Sequence, residues 1–208
     1  MTANRTRGQK AGLTRGAVLD GAVRLVDREG LGKLSMRRLG AEVDVEAMTL
    51  YNYFANKDAL LDGLVEHLFS RATLALADTG TWRERMRDYA HALRKTLVEH
   101  PNLVPLVVSR PAVTPESLRV MEDGLAVLRE AGFPARTALD LVYSLNEYVI
   151  GHMATAPREG TAPAQEDHFA AIDPDAFPLI AEALGSPRGE GERFDRAVDA
   201  MLQGFAEG

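Results

Sequence analysis

The chain has 208 residues, 46% of them hydrophobic, a formal net charge of −6 and no cysteine. That length allows one large domain or a small domain joined to a larger one, with apolar material enough for a real core. Without cysteine there can be no disulfide, no thiolate metal site and no cysteine nucleophile, and no apolar run reaches the roughly 18 residues a membrane span needs.

The acidic total hides a division. Residues 1–57 carry ten Lys/Arg against six Asp/Glu, a net of +4, whereas residues 58–208 carry fourteen against twenty-four, a net of −10. A basic head on an acidic body suits a protein that meets phosphates with one end only. Residues 1–10 are polar and basic with no apolar stretch behind them, so no secretory signal is expected and a cytoplasmic location is.

Helical periodicity dominates the chain. Thr14 is placed to cap a helix in which Ala17, Val18, Ala22, Leu25 and Val26 share a face, and Gly30 to end it. Ser35 can cap a short second helix with Leu39 and Val43 on one side. A third follows the turn at Asp44-Val45 and runs through Leu50 and Tyr51 to Phe54. Asn56 precedes a long fourth helix with Ala59, Leu60, Leu64, Leu68 and Ala72 inward. Further helices are predicted at about 82–100, 115–131, 135–156, 174–184 and 192–206, with a short helical turn over 103–109. Gly132 with Pro134 breaks the chain between two of them, and residues 157–165 (PREGTAPAQ) form a polar loop. There is no alternating strand pattern and no internal repeat, so the fold class is all-α.

The segment 34–57, LSMRRLGAEVDVEAMTLYNYFANK, carries the function. Two short helices flank a tight turn; Leu39, Ala41, Val43, Val45, Leu50 and Phe54 can bury together, and small Gly40 and Ala41 let the helices approach closely. Outward on the second helix remain Glu46, Ala47, Met48, Thr49, Tyr51, Asn52 and Tyr53, flanked by Arg37, Arg38 and Lys57. Short polar and aromatic groups for base edges and phosphates, with cations for the backbone, make a major-groove reader.

The run Ser35-Met36-Arg37-Arg38-Leu39, the turn at Val45, and Thr49-Leu50-Tyr51-x-Tyr53-Phe54-x-x-Lys57-x-x-Leu60-Leu61 resemble the DNA-binding domain of the tetracycline-repressor (TetR) family. Asp44 stands where the family usually has glycine; aspartate is among the few residues that tolerate a left-handed turn, so the turn is expected to survive. Further on, Trp82, Ser109-Arg110-Pro111, Met121-Glu122-x-x-Leu125-x-x-Leu128, Gly132-Phe133 and Ala138-Leu139 through Gly151 resemble the ligand domain of the tetracycline-repressor branch. The resemblance implies a basic arm (1–13), a three-helix helix-turn-helix domain (14–58) and a larger helical ligand-binding and dimerisation domain (59–208). It implies a homodimeric repressor that binds a palindromic operator and is released by a small-molecule effector.

In that branch the ligand is a magnesium chelate, held by a histidine before the Ser/Thr-Arg-Pro turn and by an acid near the end of the eighth helix. Those positions fall here on Leu106 and Thr155, neither a fit ligand for a hard cation. A related pocket without a metal or other cofactor is therefore expected. Glu147 falls where the family places a drug-binding histidine, Tyr89 on a drug-contacting asparagine, Leu93 on a phenylalanine and Thr73 on a histidine. Ser109 and Arg110 lie on the inducer-responsive turn, and Met121, Gly124 and Leu125 on the opposite wall. With Asn146, Gly151 and Thr155 from the long helix, these residues give a largely apolar and aromatic pocket with one acid, suited to a hydrophobic or a cationic molecule. The sequence leaves open whether Asn146 and Glu147 face a ligand, water or a partner subunit.

His67, His91, His100, His152 and His168 show no metal-binding spacing, and Glu147 and His152, five apart, lie on different helix faces. No phosphate loop or nucleophile elbow occurs, so no enzyme is expected. A helical enzyme or binding protein sharing only the body is disfavoured by the reader motif; a DNA-binding activator or ligand-independent regulator is not separated from a repressor. Arg5, Arg7, Lys10 and Arg15 are expected to form a disordered basic arm that either adds phosphate or minor-groove contacts or only solubilises. Dimerisation is expected from the apolar faces of two helices, Leu139, Leu141, Val142, Leu145, Val149 and Ile150 on one, Phe194, Val198, Met201, Leu202 and Phe205 on the other.

Overall fold

A computed structural model describes residues 12–74, 79–110, 113–156, 172–185 and 189–207. Arg5, Arg7, Lys10, Pro111, the loop 157–165 and His168 lie outside those residues. Among the described residues there are ten α-helices and no strand: α1 (Arg15–Glu29), α2 (Met36–Glu42), α3 (Ala47–Leu50), α4 (Lys57–Leu74), α5 (Trp82–Glu99), α6 (Val104–Ser109), α7 (Pro115–Glu130), α8 (Ala135–Thr155), α9 (Pro178–Leu184) and α10 (Glu190–Glu207). Two 3₁₀ turns, Leu31–Lys33 and Pro101–Leu103, complete them. The chain forms two compact units, one ending at Ala154 and the other beginning at Thr155.

The capping residues act as their positions suggest. Thr14 Oγ1 accepts from the Ala17 amide at 3.1 Å, Ser35 Oγ from Arg38 at 3.3 Å and Asn56 Oδ1 from Ala59 at 2.8 Å, each satisfying an orphan donor of a helix N-terminus. Thr81 and Glu84 form a reciprocal capping box at the start of α5, and Thr114 with Ser117 does the same for α7.

Three expectations need correction. The third helix stops at Leu50: the amides of Tyr51, Asn52 and Tyr53 bond three residues back, at 3.3, 3.2 and 3.0 Å, tightening the chain so that Phe54 turns into the core. Ala41 is exposed rather than packed with Leu39 and Leu50. The ninth helix begins at Pro178, not near 174. A proline disfavours helical geometry in the residue before it, here Phe177, while being suited to the first helical position itself.

Helix α4 is the spine of the first unit. It packs against α1, α5, α6 and α7. Leu60, Leu64, Val65, Leu68 and Ala72 are all essentially inaccessible and recur at three/four spacing, so they form one broad apolar face. The far end of α1 is tied to the body separately: His100 Nδ1 lies 2.8 Å from Asp27 Oδ2, and Asn102 Nδ2 donates to the Val26 and Asp27 carbonyls at 3.2 and 3.0 Å. Trp82 and Phe133 meet edge to face with centroids 4.7 Å apart, joining the start of α5 to the α7–α8 turn. In the second unit α10 buries Phe194, Val198 and Leu202, while Phe177, Leu179, Ile180 and Leu184, in and beside α9, are exposed.

Candidate DNA-binding and effector sites

The head is held together by close backbone approach. Asp44 sits at φ 57°, alone among the described non-glycine residues in having a positive φ, so aspartate does occupy the left-handed turn. A Cβ on Gly40 would lie 2.8 Å from the Val45 carbonyl oxygen and 3.1 Å from the Ala47 amide, so only glycine lets α2 pass this near to the start of α3. Likewise a Cβ on Gly21 would overlap a methyl of Val43, which closes α2 onto α1. Leu39 and Leu50 are fully buried beneath this joint.

The joint presents a small mixed surface outward. Met48 is 73% and Tyr51 46% exposed. Arg37, Asn52 and Lys57 are exposed, and Ala47 and Thr49 half-buried. Tyr53 differs from the rest: its hydroxyl donates to the Leu13 carbonyl at 2.8 Å, anchoring the chain ahead of α1. Several head cations are spent internally. Arg38 and Arg28 pair with Glu29, Arg28 also with Glu42 at 2.6 Å, and Arg15 with Glu66 at 2.7 Å. Arg37 and Lys57 form no ion pair among the described residues, which leaves two free cations beside α3.

The body holds a cavity of about 490 Å³ within the first unit. Of the residues predicted from sequence, Thr73, Tyr89, Ser109, Arg110, Met121, Gly124, Asn146 and Glu147 line it. Leu93, Leu106, Leu125, Gly151 and Thr155 do not: Leu93 and Leu106 lie in the core, 0% and 2% exposed, Leu125 is half-buried, and Gly151 and Thr155 face outward. The sequence reading missed most of the apolar wall, including Phe69, Met86, Val107, Val113, Val142 and Ile150.

The polar groups of the cavity have distinct states. The Tyr89 hydroxyl donates to Asn146 Oδ1 at 2.6 Å, leaving the Asn146 amide hydrogens to donate elsewhere. Burial pushes the Tyr89 phenol well above its ordinary pKa, only partly offset by that bond, so it stays protonated. Arg110 reaches from the end of α6 to α4, donating to Asp62 at 2.6 Å and Asp58 at 2.5 Å. Bonding to Asp62 first and Asp58 second raises the guanidinium above its ordinary pKa. Glu66, 4% exposed on α4, accepts from Arg15 of α1 and from Thr114 Oγ1, the cap of α7, both at 2.7 Å. The cavity walls on α6 and α7 are thus bonded to the helix that leaves the reader.

Magnesium does not fit here. Leu106 offers no donor and is buried away from the cavity, and Thr155 is exposed outside it. Among the described residues no three His, Cys, Asp or Glu side chains are grouped to hold a metal; His67 instead meets Asp20 at 2.8 Å. No helix among the described residues is long and apolar enough to cross a membrane.

A helix-turn-helix with a free outward face, coupled to a cavity-bearing helical body, defines a DNA-binding regulator of the ligand-controlled kind. Residues 18–64 match the family model of bacterial regulatory proteins of the tetR family, and residues 74–208 that of the tetracyclin repressor-like C-terminal domain. The chain belongs to the TetR family. It is 31% identical over 193 residues to the HTH-type transcriptional repressor Rv1353c of Mycobacterium tuberculosis, covering 87% of this chain and 74% of that one. It is 29% identical over 201 residues to the class D tetracycline repressor protein of Escherichia coli, covering 94% and 90%. A crystal structure of a possible TetR family transcriptional regulator from Streptomyces coelicolor superposes with a TM-score of 0.73 at 30% identity, covering 93% of this chain and 99% of that one.

Proposed function

We propose that this chain is a cytoplasmic, homodimeric transcriptional repressor that binds a palindromic operator through Arg37, Ala47, Met48, Thr49, Tyr51, Asn52 and Lys57, and that a largely apolar small molecule in the body cavity releases it. The observation that carries this reading is Arg110, which lines the cavity and grips Asp58 and Asp62 on α4. Helix α4 begins at Lys57, directly after the reader, so whatever moves α6 also tilts α4. Tyr51 and Lys57 hold phosphates, while Arg37, Met48 and Thr49 face bases. Tyr53 positions the head rather than touching DNA, because its hydroxyl is engaged with Leu13. The reading gives the chain no catalytic step.

The dimeric reading is supported by the spacing of DNA grooves and by uncovered apolar surface. Two recognition helices meet successive major grooves only when held about 34–36 Å apart. Leu139 on α8, and Met201 and Phe205 on α10, remain half-buried in the single chain without lining the cavity, which supports a partner covering those helices. Sedimentation at micromolar concentration checks this, with a monomeric mass as the contrary outcome.

Release requires that the effector bind the DNA-free arrangement more tightly than the bound one. By linkage, operator must then weaken effector binding by the same factor. The test is a mobility shift on the DNA flanking the protein's own gene with a panel of apolar small molecules. Calorimetry of any binder, with and without saturating operator, completes it. Equal affinity in both states removes the induction model and leaves DNA binding standing.

A further inference from the structure

We infer that the effector cavity takes a molecule with an apolar body and one positive charge, seated against the Glu147 carboxylate and the Tyr143 ring; this deepens, and rests on, the repressor reading above. The cavity wall holds one basic and one acidic side chain, Arg110 and Glu147. They are not equivalent. Arg110 is matched by two carboxylates, Asp62 at 2.6 Å and Asp58 at 2.5 Å, and its donors point at them. Glu147 is exposed on the wall and forms no ion pair among the described residues. The cavity therefore carries one negative charge that its own wall does not balance.

Tyr143 stands one helical turn before Glu147, so the two side chains are neighbours on α8. It is 47% exposed and lines the same cavity. A carboxylate beside an aromatic face is the pairing that recognises ammonium and other organic cations. The remaining wall, with Phe69, Met86, Val107, Val142 and Ile150, is apolar. Its volume of about 490 Å³ suits a drug-sized body. An anion would meet Glu147 and an Arg110 whose charge two carboxylates already balance. A neutral molecule would shield the carboxylate from water and return nothing. A cation with an apolar body satisfies both the acid and the wall.

Two dyes that share one xanthene scaffold test this: rhodamine 6G, a cationic ester, and rhodamine B, whose free carboxylate makes it a zwitterion. Fluorescence anisotropy of each dye is titrated with the full-length protein at neutral pH without DNA. The expected result is about tenfold tighter binding of the cation, because both dyes bring the same cationic ring system and only rhodamine B brings a carboxylate that Glu147 repels. Glu147→Gln, which keeps shape and removes charge, should abolish most of that preference. Tyr143→Phe should retain it and Tyr143→Leu reduce it, with circular dichroism reporting the fold of each variant. Equal affinity for the two dyes, a preference undiminished in Glu147→Gln, or no binding of either dye at its solubility limit overturns the inference. Operator binding by the wild-type protein is measured separately. If the palindrome is bound while the dyes are not distinguished, the cationic effector is wrong and the repressor reading stands. If no DNA is recognised, the repressor reading fails whatever the dyes show.

Discussion

The reader and the cavity are built by opposite means. The reader is assembled from one continuous stretch, residues 34–57, in which caps, a left-handed Asp44 and the bare Cα of Gly40 fix the geometry locally. Its outward residues, Met48 and Tyr51 above all, are left unsupported on the surface. The cavity is assembled from five helices, α4 to α8, and its wall exists only where those helices fail to close completely. A surface that must match a fixed duplex is rigid and local; a space that must respond to a ligand is distributed, so that filling it moves several helices at once.

The sharpest way to break that comparison is to remove apolar volume in each region. Leu50 is fully buried under the reader, and Leu50→Ala should cost about 2–5 kcal/mol with loss of operator binding. Val113, 64% exposed on the cavity wall, should cost under about 0.5 kcal/mol as Val113→Ala. Urea unfolding of both variants reads the difference; comparable losses would show that the cavity wall is as tightly packed as the head.

Glu66 joins the two regions, and its loss should be the next largest effect. Glu66→Ala strips a buried acceptor from Arg15 and Thr114, and charge-assisted bonds of this kind contribute about 1.5–3 kcal/mol. Arg15 is 45% exposed and can be rehydrated, which holds the cost toward the lower end. Beyond stability, the variant should bind operator and effector more independently, because α7 is no longer bonded to α4. Calorimetry with and without operator measures that coupling directly, and an unaltered coupling factor would confine Glu66 to a structural part.

Within the reader the effects are of similar size but separable in kind. Arg37→Ala should weaken the preferred operator by about 1–3 kcal/mol and relax base preference, whereas Lys57→Ala should weaken all sequences alike and lower the salt slope by about one. Fluorescence polarisation on operator and on scrambled duplex at several salt concentrations tells them apart. If Arg37→Ala reduces binding to both duplexes equally, Arg37 is a phosphate contact.

The reader was legible because its signals are local: Ser35 and Asn56 each cap the helix that begins beside them, and Asp44 can take the turn wherever it occurs. The bond of Tyr53 to Leu13, forty residues away, was not legible, because it is a long-range fact. The cavity was legible chiefly through family resemblance, which led to Tyr89, Arg110, Asn146 and Glu147. Phe69, Met86 and Val107 were missed because an apolar side chain that faces a cavity reads the same as one that faces the core. Leu93 and Leu106 erred the other way, as core residues at positions where relatives meet ligand. Glu66 gave no sign, since its partners lie 51 and 48 residues distant.

The smallest expected effect lies on the outer edge of the head, and pH exposes it. Glu42 accepts from Arg28 at 2.6 Å and lies 3.5 Å from Arg24, pinning the end of α2 to α1. The bond to Arg28 holds the Glu42 carboxyl below its ordinary pKa. A carboxylate so lowered adds stability at every pH above its unfolded pKa and loses it as pH falls through the folded one. Wild-type stability should therefore carry a component that disappears on acidification below the ordinary carboxylate range, and Glu42→Gln should lack it. At neutral pH the two proteins should differ little, because Arg28 is well exposed and water screens the pair, and added salt should narrow the gap further. Urea midpoints of both proteins across the acid range make the test. Curves that run parallel down to the lowest pH would mean that Glu42 titrates alike in the folded and unfolded chains, and that the α1–α2 joint rests on Gly21 and Val43 packing alone.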